Sequence, residues 1–143
     1  MRNKLIIIGV VILLVLAGGL AAFWPFGNGK VLRLPEYQQD AVTALSGSGP
    51  AYVFLLAESL ARAGEKAGLP AELAVRLARA TVAGSGELLH RSSIDAAVLR
   101  QNVTSPGGTT AAALDVLMAP DGLDLLMERA ILAATRRSRE FAG

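Results

Sequence analysis

No cysteine occurs anywhere in this 143-residue chain, and histidine occurs once, as His90. Disulfide scaffolds, thiolate nucleophiles, iron–sulfur clusters and the usual structural zinc sites are thereby excluded, and a histidine-built metal centre has no second ligand of its kind. Aromatic residues make up only 5% of the chain. Short Ala- and Gly-rich segments with so few rings bury limited area in one copy, and dimerisation is the economical remedy. Beyond Asp40 no stretch alternates apolar and polar residues, so no strand is expected there and the domain reads as all-α. A polycationic face is missing too. The sequence pI is about 9.4, yet Arg2, Lys4, Lys30 and Arg33 face only Glu36 in residues 1–39, and from Asp40 onward ten basic residues meet eleven acidic ones. The basic excess therefore belongs to the N-terminal part, and nucleic acid is not an expected partner. Paired carboxylates for acid–base work are also lacking, because Glu58, Glu65, Glu72 and Glu87 all fall at outward-looking helical positions.

What the chain does contain begins with residues 5–24, an unbroken run of apolar residues and glycines about long enough to cross a hydrocarbon core as one helix. Arg2 and Lys4 precede it, and Phe23, Trp24 and Phe26 gather where such a helix would meet the headgroups. Residues 1–26 are read as a hydrophobic N-terminal membrane anchor, with its N-terminus inside; a cleaved signal and a buried element are the competing readings. Residues 27–39 follow as a linker, and residues 40–143 as a helical domain of five to six helices. The expected location is the membrane.

Within that domain, Val53, Leu56, Leu60, Ala63 and Ala67 recur at helical spacing and define a seam for a partner helix, while Ala57, Ala61 and Gly64 let that partner come close. Gly68 followed by Pro70 punctuates a helical hairpin. Leu73, Leu77, Thr81, Gly84 and Leu88 line one face of the next helix, with His90 in its last turn. Ser92 and Asp95 are a candidate capping pair for a short helix. Leu126, Ala130 and Ala133 mark the apolar face of the final helix, whose last turns carry Arg136, Arg137 and Arg139.

The stretch around which the chain is organised is residues 103–110, Val-Thr-Ser-Pro-Gly-Gly-Thr-Thr. Ser105 as a cap and Pro106 at the first helical position would open a helix whose early N–H groups, on Gly107, Gly108 and Thr109, lack intrahelical acceptors. Such a start concentrates partial positive charge and suits a carboxylate or phosphate. The two glycines permit close approach, and the Thr110 hydroxyl both donates and accepts, which suits a centre that changes protonation. The bland alternative is an ordinary loop and helix start.

Residues 40–52, Asp-Ala-Val-Thr-Ala-Leu-Ser-Gly-Ser-Gly-Pro-Ala-Tyr, and residues 102–110, Asn-Val-Thr-Ser-Pro-Gly-Gly-Thr-Thr, resemble the C-terminal dimerisation domain of pyrroline-5-carboxylate reductase. Ala-Gly-Leu-Pro at residues 67–70 and Ala-Thr-Arg-Arg-Ser-Arg-Glu at residues 134–140 agree in order and spacing, so the resemblance covers about 100 residues. It implies proline biosynthesis: hydride transfer from NADPH or NADH to the imine carbon of pyrroline-5-carboxylate. It also implies a homodimer, in which the loop holding Ser105, Gly107, Gly108 and Thr109 binds the substrate carboxylate. Thr110 would hydrogen-bond the ring nitrogen and is the candidate catalytic residue. Residues 46–50 are assigned to the helical framework. The family's dinucleotide-binding domain has no counterpart ahead of Asp40, where Gly9, Gly18 and Gly19 do not make a Gly-x-Gly-x-x-Gly turn. No cofactor is expected to bind this chain alone, and activity is expected to need a separate dinucleotide-binding chain. The alternative is a noncatalytic, membrane-anchored homodimerisation module sensing proline-like ligands.

Overall fold

The computed structural model describes residues 35–142. Among them lie six α-helices: α1 (Glu36–Val42), α2 (Gly49–Lys66), α3 (Ala71–Arg91), α4 (Ala96–Asn102), α5 (Thr109–Leu117) and α6 (Leu123–Ala142). One π-helical turn, Thr43–Gly47, separates α1 from α2. The all-α expectation holds, with no strand among the described residues. Helix α1 begins at Glu36, so it takes in residues that the sequence reading gave to the linker.

Two clusters of packed helices organise these residues. The first is the α2–α3 hairpin. Its bend is a Schellman closure: the Leu69 N–H donates to the Gly64 carbonyl and the Gly68 N–H to the Glu65 carbonyl, both at 3.0 Å, with Gly68 at φ +101°. Pro70 then stands at the N-cap, and α3 starts at Ala71. The seam inside the hairpin is made of small residues. Ala61, Ala74 and Ala78 are buried, with Ala57, Gly64 and Val82 half-buried beside them. The leucines expected to face a partner helix, Leu56, Leu60, Leu73, Leu77 and Leu88, are exposed in the single copy. Small side chains bring the two backbones close, and each helix is left with a large-residue face that its neighbour does not cover.

The second cluster joins α1, the π-turn and α6. Ala44 in the π-turn is 1% exposed. On α6 the inward positions are Ile131, Ala134, Thr135 and Ser138, spaced three and four apart; Leu126, Ala130 and Ala133 are exposed instead. The Asp40 carboxylate lies 3.6 Å from the Arg139 guanidinium, tying α1 to the far end of α6. The Tyr52 hydroxyl donates to the Ala44 carbonyl at 3.0 Å and pins the start of α2 to the π-turn. Tyr52→Phe is expected to cost about 1 kcal/mol, the net worth of one hydrogen bond, read as a lower denaturation midpoint with an unchanged denaturant slope.

No helix among the described residues is long and apolar enough to cross a membrane. That finding corrects the membrane location and the spanning helix expected above. Helices α2, α3 and α6 are long enough, but each carries charges along its length, such as Glu58, Arg62 and Glu65 on α2. The run at residues 5–24, on which the expectation rested, lies outside the described residues.

Candidate functional site

The predicted anion-binding stretch forms a turn followed by a helix start, displaced by three residues from the expected register. Ser105 does not cap α5. Instead its carbonyl accepts from the Gly108 N–H at 3.0 Å, closing a tight turn with Pro106 second and Gly107 third. Gly107 has φ +66°, so this is the residue pattern of a type II turn, where a side chain at the third position would be strained. Gly108 becomes the N-cap residue, in extended geometry. A Cβ added there would meet the Ser105 carbonyl oxygen at 3.1 Å, so the turn is as close as glycine permits.

Helix α5 then begins at Thr109, and its first backbone bond runs from the Ala112 N–H to the Gly108 carbonyl at 3.2 Å. The N–H groups of Thr109, Thr110 and Ala111 precede that bond and have no intrahelical acceptor. No side chain caps this end. Ser105, Gly107 and Thr109 are exposed, whereas Gly108 and Thr110 are half-buried. All five predicted site residues are therefore gathered at one helix start, with three helix N–H groups and three hydroxyls. Such a group can hold a carboxylate.

Thr104 escaped the sequence reading. Its hydroxyl donates to the Arg100 carbonyl at 2.7 Å and closes the end of α4 just before the loop. A threonine four residues past a helical carbonyl is the available signal for this back-bond. Ser92 and Asp95 do not act as a pair: the Ser92 hydroxyl accepts from the Ile94 N–H at 3.0 Å, and Asp95 is an N-cap residue without a side-chain bond. The π-turn packs against α1, α6 and the start of α2, in keeping with a framework role for residues 46–50. Among the described residues no group of three or more histidine, aspartate or glutamate side chains is placed to hold a metal. Those residues also contain no strand followed by a glycine-rich turn and helix, so they do not fit a dinucleotide pyrophosphate.

A family model for pyrroline-5-carboxylate reductase dimerisation matches residues 36–141. The chain is 48% identical over 125 residues to the pyrroline-5-carboxylate reductase of Arabidopsis thaliana, covering 87% of this chain and 45% of that one. It is 50% identical over 107 residues to the Pseudomonas aeruginosa enzyme, covering 75% and 39%. Among solved structures, the Plasmodium falciparum pyrroline carboxylate reductase with NADP bound superposes with a TM-score of 0.70 at 38% identity, over 77% of this chain and 42% of that one. The Coxiella burnetii pyrroline-5-carboxylate reductase also gives a TM-score of 0.70, at 43% identity, over 75% and 39%. The chain thus spans less than half the length of these relatives. Its helices, their order and the sequence of the loop all meet in one conclusion: the chain belongs to the pyrroline-5-carboxylate reductase dimerisation family.

Proposed function

We propose that residues 105–110 hold the carboxylate of a small cyclic imino acid, pyrroline-5-carboxylate or proline, in a homodimeric domain that forms the helical part of a reductase. The observation that carries this reading is the uncapped start of α5 behind the Ser-Pro-Gly-Gly turn, in a chain of this family. The N–H groups of Thr109, Thr110 and Ala111 would donate to the carboxylate, with the Ser105 hydroxyl as a further donor at the rim. Thr110 is half-buried, and its hydroxyl would accept from the protonated ring nitrogen, which orients the imine carbon for hydride. NADPH or NADH supplies that hydride in this reading. Its binding fold lies outside residues 35–142 or on a separate chain, since the described residues offer no pyrophosphate cradle.

Thr110→Val should remove the polar partner of the ring nitrogen and leave the fold intact. A hydrogen bond to a charged group is worth about 1.5–3 kcal/mol, so binding is expected to weaken at least about tenfold. At a proline concentration about 100 times its Kd, the unsubstituted chain gains about 2.7 kcal/mol of stability, and a tenfold weaker variant about 1.4 kcal/mol. The difference is measured as a smaller thermal shift.

The reading as a reductase part is tested by following NADPH and NADH loss with pyrroline-5-carboxylate, with and without an added dinucleotide-binding domain from a family member. Turnover only on addition is expected. Turnover by the chain alone contradicts the placement of the cofactor elsewhere, and no turnover in either arm contradicts the reductase reading.

A further inference from the structure

The carboxylate donors stand at the end of a chain of local dependencies. Helix α5 has nine residues, and isolated helices below about 12–15 residues are marginal in water. Neither it nor α4 makes more than marginal packing with any other described element, so the start of α5 is held by bonds close to it in sequence. Its first bond runs from the Ala112 N–H to the Gly108 carbonyl, and Gly108 is placed in turn by its own N–H on the Ser105 carbonyl. The free N–H groups of Thr109, Thr110 and Ala111 therefore depend on where Ser105 aims that carbonyl.

Ser105 is joined to α4 through Thr104. The Thr104 N–H donates to the Gln101 carbonyl at 3.0 Å and its hydroxyl to the Arg100 carbonyl at 2.7 Å, so this residue has two tethers on α4. No backbone hydrogen bond among the described residues runs from α4 into residues 105–108. With N–H and hydroxyl both held, φ and χ1 of Thr104 are set, and a branched Cβ in a fixed rotamer narrows ψ, the torsion that aims Ser105. The Arg100 carbonyl already accepts from the Val103 N–H at 3.3 Å, so α4 has a closing bond without the hydroxyl. The added effect of the hydroxyl falls on the residue that follows. Thr104 is half-buried, whereas Val103 and Ser105 on either side are exposed, in keeping with a side chain folded back on α4.

We propose that Thr104 is a positioning residue for imino-acid binding. Its hydroxyl touches no ligand; it keeps Ser105 in the orientation that forms the turn and, through the turn, the donors at the start of α5. The inference rests on the carboxylate reading above and adds a residue which that reading did not use. A site formed for only part of the time binds with an affinity reduced by that fraction. Removing one exposed neutral hydrogen bond is expected to weaken binding about threefold.

The test titrates the full chain with L-proline and with cyclopentanecarboxylate, which shares the ring and the carboxylate but has no ring nitrogen. Thr104→Val keeps the branched shape and removes the hydroxyl; it is expected to weaken both ligands by the same factor. Thr110→Val, by contrast, should weaken L-proline more than cyclopentanecarboxylate. Thr104→Ser restores a hydroxyl and should recover the affinity for both. An unchanged affinity in folded Thr104→Val, with a lower thermal midpoint, would make the hydroxyl a stability element of α4 and overturn the inference. Failure of Thr104→Val to fold, or of Thr104→Ser to recover binding, also overturns it, and so does a loss confined to L-proline. In each of these cases the carboxylate reading stands. Neither ligand binding to the unsubstituted chain removes that reading, and this inference with it.

Discussion

Gly122→Ala is expected to lower the thermal midpoint by roughly 12–24 °C, the largest effect expected among the glycines of the described residues. A Cβ at this position would stand 2.3 Å from the Leu117 carbonyl oxygen and 2.8 Å from that of Ala119. Both are backbone atoms. They cannot swing aside as a side chain would, because the corner between α5 and α6 is fastened by the Met118 N–H on the Leu114 carbonyl at 2.8 Å and the Gly122 N–H on the Ala119 carbonyl at 2.7 Å. Relief requires breaking the second bond and re-aiming α6. The cost belongs near the top of the range for overpacking, about 3 kcal/mol, and each kcal/mol moves the midpoint of a domain this size by roughly 4–8 °C. Differential scanning calorimetry reads the drop, and a change below about 4 °C would show that the corner can open cheaply.

Ala74→Leu is expected to be nearly as damaging, through the hairpin seam. Ala74 is 2% exposed, and a Cβ on Gly64 would already lie 3.3 Å from the Ala74 Cβ. Three more carbons cannot enter without parting α2 from α3, at a cost of about 1–3 kcal/mol or more. Leu73→Ala, one residue away on an exposed face, should behave in the opposite manner. It removes a large side chain that the single copy does not bury, so its loss should appear in association and hardly in the stability of the separated hairpin. Chemical denaturation at two chain concentrations separates the two cases. Equal, concentration-independent losses for both variants would mean that the seam and the outer face have been exchanged.

That pair of variants shows what was legible in the sequence. Helical periodicity located the hairpin and its bend, because Gly68 and Pro70 carry strong conformational preferences of their own. It could not say which stripe meets the neighbouring helix. On α2 both the leucine stripe and the Ala57, Ala61 and Gly64 stripe recur at helical spacing, and hydrophobicity favours the leucines. Backbone proximity favours the small residues, and it decides the packing within the chain. On α6 the inner face falls at Ile131, Ala134, Thr135 and Ser138, one residue on from the Ala130 and Ala133 stripe, which periodicity alone did not separate from it. The π-turn had no signal in the periodicity; the Ser48 N–H on the Thr43 carbonyl, five residues back at 2.9 Å, defines it, and the Tyr52 hydroxyl on the Ala44 carbonyl holds it to α2.

At the loop, composition was informative and register was not. Ser-Pro-Gly-Gly fits both a helix start at Pro106 and a turn ending at Gly108. The hydrogen bond from Gly108 to Ser105 selects the turn and moves the free donors to Thr109, Thr110 and Ala111. An uncapped helix start and the same hydroxyls remain within residues 105–110 after that shift, and the carboxylate proposal rests on them.

The most direct measurement is therefore an amide-resolved titration of the isotope-labelled full chain with L-proline, by heteronuclear NMR. Saturable shifts concentrated at the amides of Gly107, Gly108, Thr109, Thr110 and Ala111, and weakened in Thr110→Val, are the predicted result. Shifts centred on Arg136, Arg137 and Arg139 at the end of α6, or none at the loop under saturating ligand, would contradict the assignment of a carboxylate site to the start of α5.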